Sequence, residues 1–132
     1  RCIAGLNSFM TCPPQGGSVV MDVRPQHNPR ALRTGRSKHH VYQVQRYLPG
    51  QFYHWHVDGG SHELSQRQLV AIWYLNDVPG PGGETQFLYQ NLCVRPERGK
   101  LVLFPPFWTH EHRAARLEAG VKYIATTWIV FG

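Results

Sequence analysis

The chain has 132 residues, with fourteen Lys and Arg against eight Asp and Glu, 42% hydrophobic residues, 13 Gly and 10 Pro. That length suits one domain. No apolar run approaches the roughly 18 residues that span a bilayer, which excludes a transmembrane helix, and the turn-rich composition excludes a long helical bundle. Cys2, Cys12 and Cys93 are odd in number and form no Cys-x-x-Cys pair, so neither a disulfide framework nor a cysteine-rich zinc site is expected. The chain starts at Arg1 with no signal-peptide pattern after it. The expectation is a trimmed or partial product, cytoplasmic by default.

Charge divides the chain. Residues 1–46 hold seven positive groups against Asp22 alone, while residues 47–132 hold seven of each sign. Between Pro13 and Lys38 no period of 2 or 3.6 is sustained. Ser18–Met21 reads as a short strand and Pro29–Leu32 as a helical turn, and residues 1–39 as a whole read as a basic, poorly structured arm. Phe9 is the arm's one aromatic, too few for base stacking, so a nucleic-acid partner is not expected.

Residues 40–132 read as one domain of short strands separated by turn signals. Val41–Leu48 ends at Pro49-Gly50, and Phe52–Val57 ends at Asp58-Gly59-Gly60. Gln68–Asn76 is apolar on both faces, with Leu69, Ala71, Trp73 and Leu75 on one and Val70, Ile72 and Tyr74 on the other. Such a strand belongs at the centre of a sheet. Pro79–Gly83 must be a loop, and further strands follow at Glu84–Tyr89, Leu92–Val94, Lys100–Phe104 and Lys122–Phe131. Seven strands at this spacing, with no convincing helix, predict an all-β antiparallel double sheet, a sandwich or barrel.

The chemistry-bearing residues lie on or beside three of these segments. His56 and Asp58 are two apart, so an extended chain points both the same way, a spacing suited to metal ligands. A third ligand must come from elsewhere. His110 and His112 share one face, and periodicity does not choose between them. Two His and one carboxylate with open positions form the facial triad of non-haem Fe(II) oxygenases. On the last strand Lys122, Ile124, Thr126, Trp128 and Val130 share a face, which sets a cation among apolar groups. That cation needs an anion, and a ligand carboxylate would serve.

These residues carry a resemblance. Tyr47-Leu48-Pro49-Gly50-Gln51, His56-Val57-Asp58, Trp73-Tyr74-Leu75-Asn76-Asp77, Gly82-Gly83-Glu84-Thr85, Gly99–Pro105, His112-Arg113, Gly120–Tyr123 and Trp128 stand in an order similar to that of the Fe(II)- and 2-oxoglutarate-dependent dioxygenases, in their prolyl 4-hydroxylase-like branch. The match covers residues 41–131. It implies a double-stranded β-helix, or jelly roll, as the fold. In that family the distal His precedes the 2-oxoglutarate-binding residue by ten positions, which selects His112. The resemblance therefore implies His56, Asp58 and His112 as iron ligands and Lys122 as the partner of the distal 2-oxoglutarate carboxylate. Tyr47, Thr126 and Trp128 are implied to line the same co-substrate site. Tyr53 competes with Tyr47, although a regular strand sends it to the face opposite His56.

The implied cofactors are Fe(II), 2-oxoglutarate as co-substrate and O2, with ascorbate as a further candidate. The implied activity hydroxylates an unactivated C–H and releases succinate and CO2. A prolyl residue in a peptide or protein is the first expectation for the substrate, a small molecule the second. At 132 residues the chain is short for this class, and the helices that usually precede the core have no counterpart in residues 1–39. Two rivals stand beside this reading. One is a cupin-type metal enzyme using His54 and His56, which needs a Glu closer than Glu63. The other is a non-catalytic binding module on the same fold.

The two candidate histidines can be separated directly. His112→Ala should abolish Fe(II) binding and His110→Ala should leave most of it, as measured by calorimetric titration under anaerobic conditions.

Overall fold

The computed structural model describes residues 37–39, 42–60 and 62–131. Nine strands run in chain order: β1 (Ser37–His39), β2 (Gln43–Tyr47), β3 (Tyr53–His56), β4 (Arg67–Tyr74), β5 (Thr85–Phe87), β6 (Leu92–Val94), β7 (Leu101–Phe104), β8 (His112–Ala114) and β9 (Lys122–Phe131). The β-branched and aromatic runs make the two longest strands, β4 and β9, because such side chains pack well on a pleated surface. Short 3-10 turns at His62–Gln66 and Trp108–His110 are the helical elements among the described residues.

All strand pairs are antiparallel and fall into two sheets. The larger runs β1-β9-β4-β7, and β2 also pairs with β9. The strands β1 and β2 therefore share one flank of β9, with Ser37 opposite Phe131 and Tyr47 opposite Lys122. As its two apolar faces predict, β4 is central, held between β7 and β9. The smaller sheet runs β3-β8-β5-β6. This is the expected all-β jelly roll.

The core fills the space between the sheets. Val70, Ile72 and Tyr74 of β4, Phe104 of β7 and Ile124 and Trp128 of β9 face Phe87 of β5 and Val94 of β6. Each such apolar side chain contributes about 1.5–3 kcal/mol on burial. Phe87 meets Phe104 edge to face at 4.9 Å between ring centroids, so one aromatic pair joins the two sheets.

Two strands lie outside the seven read from the sequence. Ser37–His39, at the end of the predicted arm, pairs with the last residues of β9. His112-Arg113-Ala114 forms β8, between β3 and β5. Neither segment carries an alternating or β-branched signature; long-range pairing makes them strands. The readings at Ser18–Met21 and Pro29–Leu32 lie outside the described residues.

The loop Pro79–Gly83 carries a tight approach. Gly82 and Gly83 have φ of +86° and +79°, and a Cβ on Gly82 would collide with the Arg116 carbonyl oxygen. Gly99 has a similar φ of +84° with nothing near the position of its Cβ. Gly82→Ala should therefore lower the urea unfolding midpoint clearly more than Gly99→Ala. The second substitution incurs backbone strain of about 1–3 kcal/mol, and the first adds a steric term to it.

Candidate active site

The site begins with an irregularity. Along the β3–β8 ladder Tyr53 pairs with Ala114 and His56 with His112, so three steps on β3 match two on β8. One extra residue of this kind is a β-bulge, and it inverts the alternation of side chains. Tyr53 and His56 consequently lie together, with ring centroids 4.4 Å apart. The opposite-face placement expected from a regular strand is corrected by the bulge.

His56 and His112 stand directly opposite each other in the ladder, with ring centroids 4.2 Å apart. Asp58 follows β3 and sets Oδ2 3.4 Å from Nε2 of His112. The ligand atoms of His56, Asp58 and His112 all lie within 4.8 Å of one another. His110 stays apart. It closes the turn before β8, where its Nδ1 meets Thr109 Oγ1 at 3.0 Å. His54 is exposed, its ring packed edge-on against Phe52.

Both histidines of the trio are oriented in the same way. Nδ1 of His56 lies 2.8 Å from the His54 carbonyl, and Nδ1 of His112 lies 3.0 Å from the His110 carbonyl. A carbonyl only accepts, so each Nδ1 carries the proton and each Nε2 is left as a lone-pair donor, the arrangement metal-bound imidazoles use. Burial pushes the pKa of His112 down, and the neighbouring His56 adds to this, which keeps His112 neutral and able to ligate. Two bonds fix the Asp58 loop: Arg67 Nη1 donates to the Asp58 carbonyl at 2.9 Å, and Gly59 N donates to the Pro106 carbonyl at 2.6 Å.

The larger sheet supplies the opposing wall. Lys122 opens β9 and is 1% exposed, with Nζ donating to the Gly83 carbonyl at 2.8 Å and lying 4.2 Å from the Tyr47 ring centroid. Among the described residues no carboxylate stands within ion-pair distance of it. Burial pushes its pKa down to about 8, with the more distant Glu84 charge pulling the other way. Tyr47 is buried and donates from its hydroxyl to Gln45 Oε1 at 2.9 Å. Burial keeps this phenol protonated. Thr126 and Trp128, further along β9, are also buried, and Trp128 Nε1 has no hydrogen-bond partner among the described residues.

One cavity of about 390 Å3 joins the two walls. Its lining includes His56, Asp58, His112, Lys122, Thr126 and Trp128, with Tyr47 and Tyr53 as well. The structure thus brings His56, Asp58, His112, Lys122, Tyr47, Thr126 and Trp128 to one cavity, Tyr53 included, and leaves His110 and His54 out of its lining. It adds Arg67, whose guanidinium stacks 4.0 Å above the Trp128 ring. Strict alternation from Val70 would turn Arg67 outward, but a register shift between Arg67 and Leu69 lies in between. No sequence period signals that shift.

Donor chemistry and open valences say what the cavity accepts. Two imidazole donors and a carboxylate suit a divalent iron with free positions. An ammonium with a single protein acceptor and a buried indole N–H without one suit an oxygen-rich anion placed between them.

The family model of the 2OG-Fe(II) oxygenase superfamily matches residues 42–130, and the chain belongs to that family. Among solved structures it is similar to the viral collagen prolyl hydroxylase of Paramecium Bursaria Chlorella virus-1, determined as a complex with 2OG. That likeness is 28% identical with a TM-score of 0.65, covering 74% of this chain and 62% of the viral one. A prolyl-4-hydroxylase of Pseudomonas putida is 26% identical, with a TM-score of 0.57, over 68% of this chain and 50% of that one. A prolyl 4-hydroxylase of Phytophthora capsici is 28% identical, with a TM-score of 0.56, over 69% and 32%. The chain spans less than two thirds of the length of each of these proteins. No curated protein matches it.

The depressed lysine gives a pH signature. Between about pH 8 and the ordinary lysine value of 10.5 the unfolded chain holds the proton that folded Lys122 has released. Stability of the ligand-free protein should therefore rise with pH across this window, by up to about 3 kcal/mol, and the full penalty applies below it. Urea midpoints measured against pH should show this rise in the native chain relative to Lys122→Met.

Proposed function

We propose that this chain is the catalytic core of a hydroxylase that uses Fe(II), 2-oxoglutarate and O2 to oxidise an unactivated C–H, releasing succinate and CO2. The observation that carries the reading is the pairing, in one cavity, of a His-Asp-His trio with a buried ammonium that has no acidic partner among the described residues. His56, Asp58 and His112 would hold the iron. When bound, the metal supplies O2 activation and C–H oxidation.

The chain's own residues then bind and orient. The Lys122 ammonium pairs with the distal carboxylate of 2-oxoglutarate, and desolvation makes this attraction far stronger than it would be in water. Gly83 fixes the ammonium from behind, and the Tyr47 ring presents its negative face to the same charge. Trp128 offers its unpaired N–H from the same wall, and Thr126 its hydroxyl. Arg67 holds the Asp58 loop and covers Trp128, which restricts water at that end. No side chain is required as a general base.

For the substrate we propose a prolyl residue in a peptide or protein. The similar structures at 26–28% identity are named as prolyl hydroxylases. Tyr53 supports this locally: it is half exposed beside His56 and gives an apolar face at the cavity edge for a five-membered ring.

Incubating the chain with Fe(II), 2-oxoglutarate and a library of proline-containing peptides should yield succinate and peptides heavier by one oxygen atom, read by mass spectrometry. Lys122→Ala should need roughly tenfold more 2-oxoglutarate, or beyond, with iron affinity retained. Absence of succinate from the native chain with every peptide would sink the reading.

A further inference from the structure

The segment Trp73–Asp77 holds an asparagine, Asn76, that the reading above does not use. β4 stops at Tyr74, opposite Ile124, and one more backbone bond continues the ladder, from Leu75 N to the Tyr123 carbonyl at 2.9 Å. Beyond that point the side chain of Asn76 takes over. Its Oδ1 accepts from Tyr123 N at 2.6 Å, and its Nδ2 donates to the Val121 carbonyl at 2.7 Å. The same Nδ2 lies 2.9 Å from the Asp77 carbonyl. The orientation of the amide is therefore fixed by chemistry: reversing it would set N–H against N–H and oxygen against two carbonyls.

Val121 and Tyr123 are the two neighbours of Lys122. We propose that Asn76 is a positioning residue for Lys122, clamping the backbone on both sides of it so that the ammonium keeps its place over the distal carboxylate of 2-oxoglutarate. The inference rests on the reading of Lys122 given above. Its physical basis is that Lys122 is the first residue of β9, where a ladder frays, and that its charge sits at the end of a long, rotatable stem. The far end of that stem is held by the Gly83 carbonyl, whose own amide donates to the Arg116 carbonyl at 3.3 Å. Asn76 holds the near end. An asparagine does this because it carries an NH2 donor group and a carbonyl acceptor on one short, rigid plane; aspartate has no donor and alanine neither group.

The test compares two ligands on the full chain loaded with Mn(II). 2-Oxoglutarate has the distal carboxylate, and 2-oxobutyrate has the same 2-oxo acid end without it. Dissociation constants by calorimetry, with metal affinity and melting temperature alongside, are measured for the native chain, Asn76→Ala and Asn76→Asp. The aspartate variant keeps the acceptor for Tyr123 N and sets a carboxylate oxygen against the two carbonyls. Both variants should weaken 2-oxoglutarate roughly tenfold and leave 2-oxobutyrate and Mn(II) within about twofold of native. Equal weakening of both ligands, joint loss of ligand and metal binding, or no change in either ligand would overturn the positioning role while leaving the function intact. A native chain that binds 2-oxoglutarate no better than 2-oxobutyrate would instead remove the reading of Lys122, and this inference with it.

Discussion

Backbone pairing between β4 and β9 sets where Lys122 can stand. Seven register pairs tie the two strands, from Arg67 opposite Val130 to Tyr74 opposite Ile124. Lys122, Ile124, Thr126, Trp128 and Val130 then fall on the inner face by alternation, and all five are buried. A slip of one residue would turn this whole set outward, so the register that buries the apolar members also buries the cation. Burying a cation without an anion is unfavourable, and the depressed pKa of Lys122 is that cost expressed as proton affinity. The core thus imposes an electrostatic cost at the site that an anion would offset.

The two halves of the site belong to different sheets. The trio hangs on β3, β8 and the loop after β3, and the cation and its neighbours hang on β9 and β2. Their separation is set by what packs between the sheets and by the Arg67 guanidinium of β4, which donates to the Asp58 carbonyl and stacks over Trp128. Phe104 of the larger sheet reaches Phe87 and also His112, with ring centroids 4.6 Å from the latter. An aromatic core residue of the larger sheet therefore packs directly against His112 of the trio. Close-packed interiors resist changes of even one methylene, so this spacing is rigid.

Much of this architecture could be read from the sequence where local signals and tertiary demands coincide. Val70, Ile72 and Tyr74 alternate with Leu69, Ala71 and Trp73, and the strand they form is central. Leu92–Val94 and Lys122–Phe131 form strands with the bounds expected. His112-Arg113-Ala114 could not be read in this way, because three residues of mixed polarity have no period and only β3 and β5 on either side make them a strand. The choice between His110 and His112 had no local answer either. In space it is His112, and not His110, that lies across from His56. Bulges account for the rest: those in β3 and β4 bring in Tyr53 and Arg67, and an inserted residue is invisible to any rule based on strict alternation.

The imidazole tautomers are set by main-chain carbonyls two residues upstream, at positions 54 and 110. Every amino acid has that carbonyl. The proton placement that readies His56 and His112 for ligation is therefore insulated from substitution at both upstream positions, provided the local backbone path is kept. A census of side chains would never reveal what the backbones at positions 54 and 110 do. In this site the ligands belong to the side-chain alphabet, and their orientation belongs to the shape of the chain.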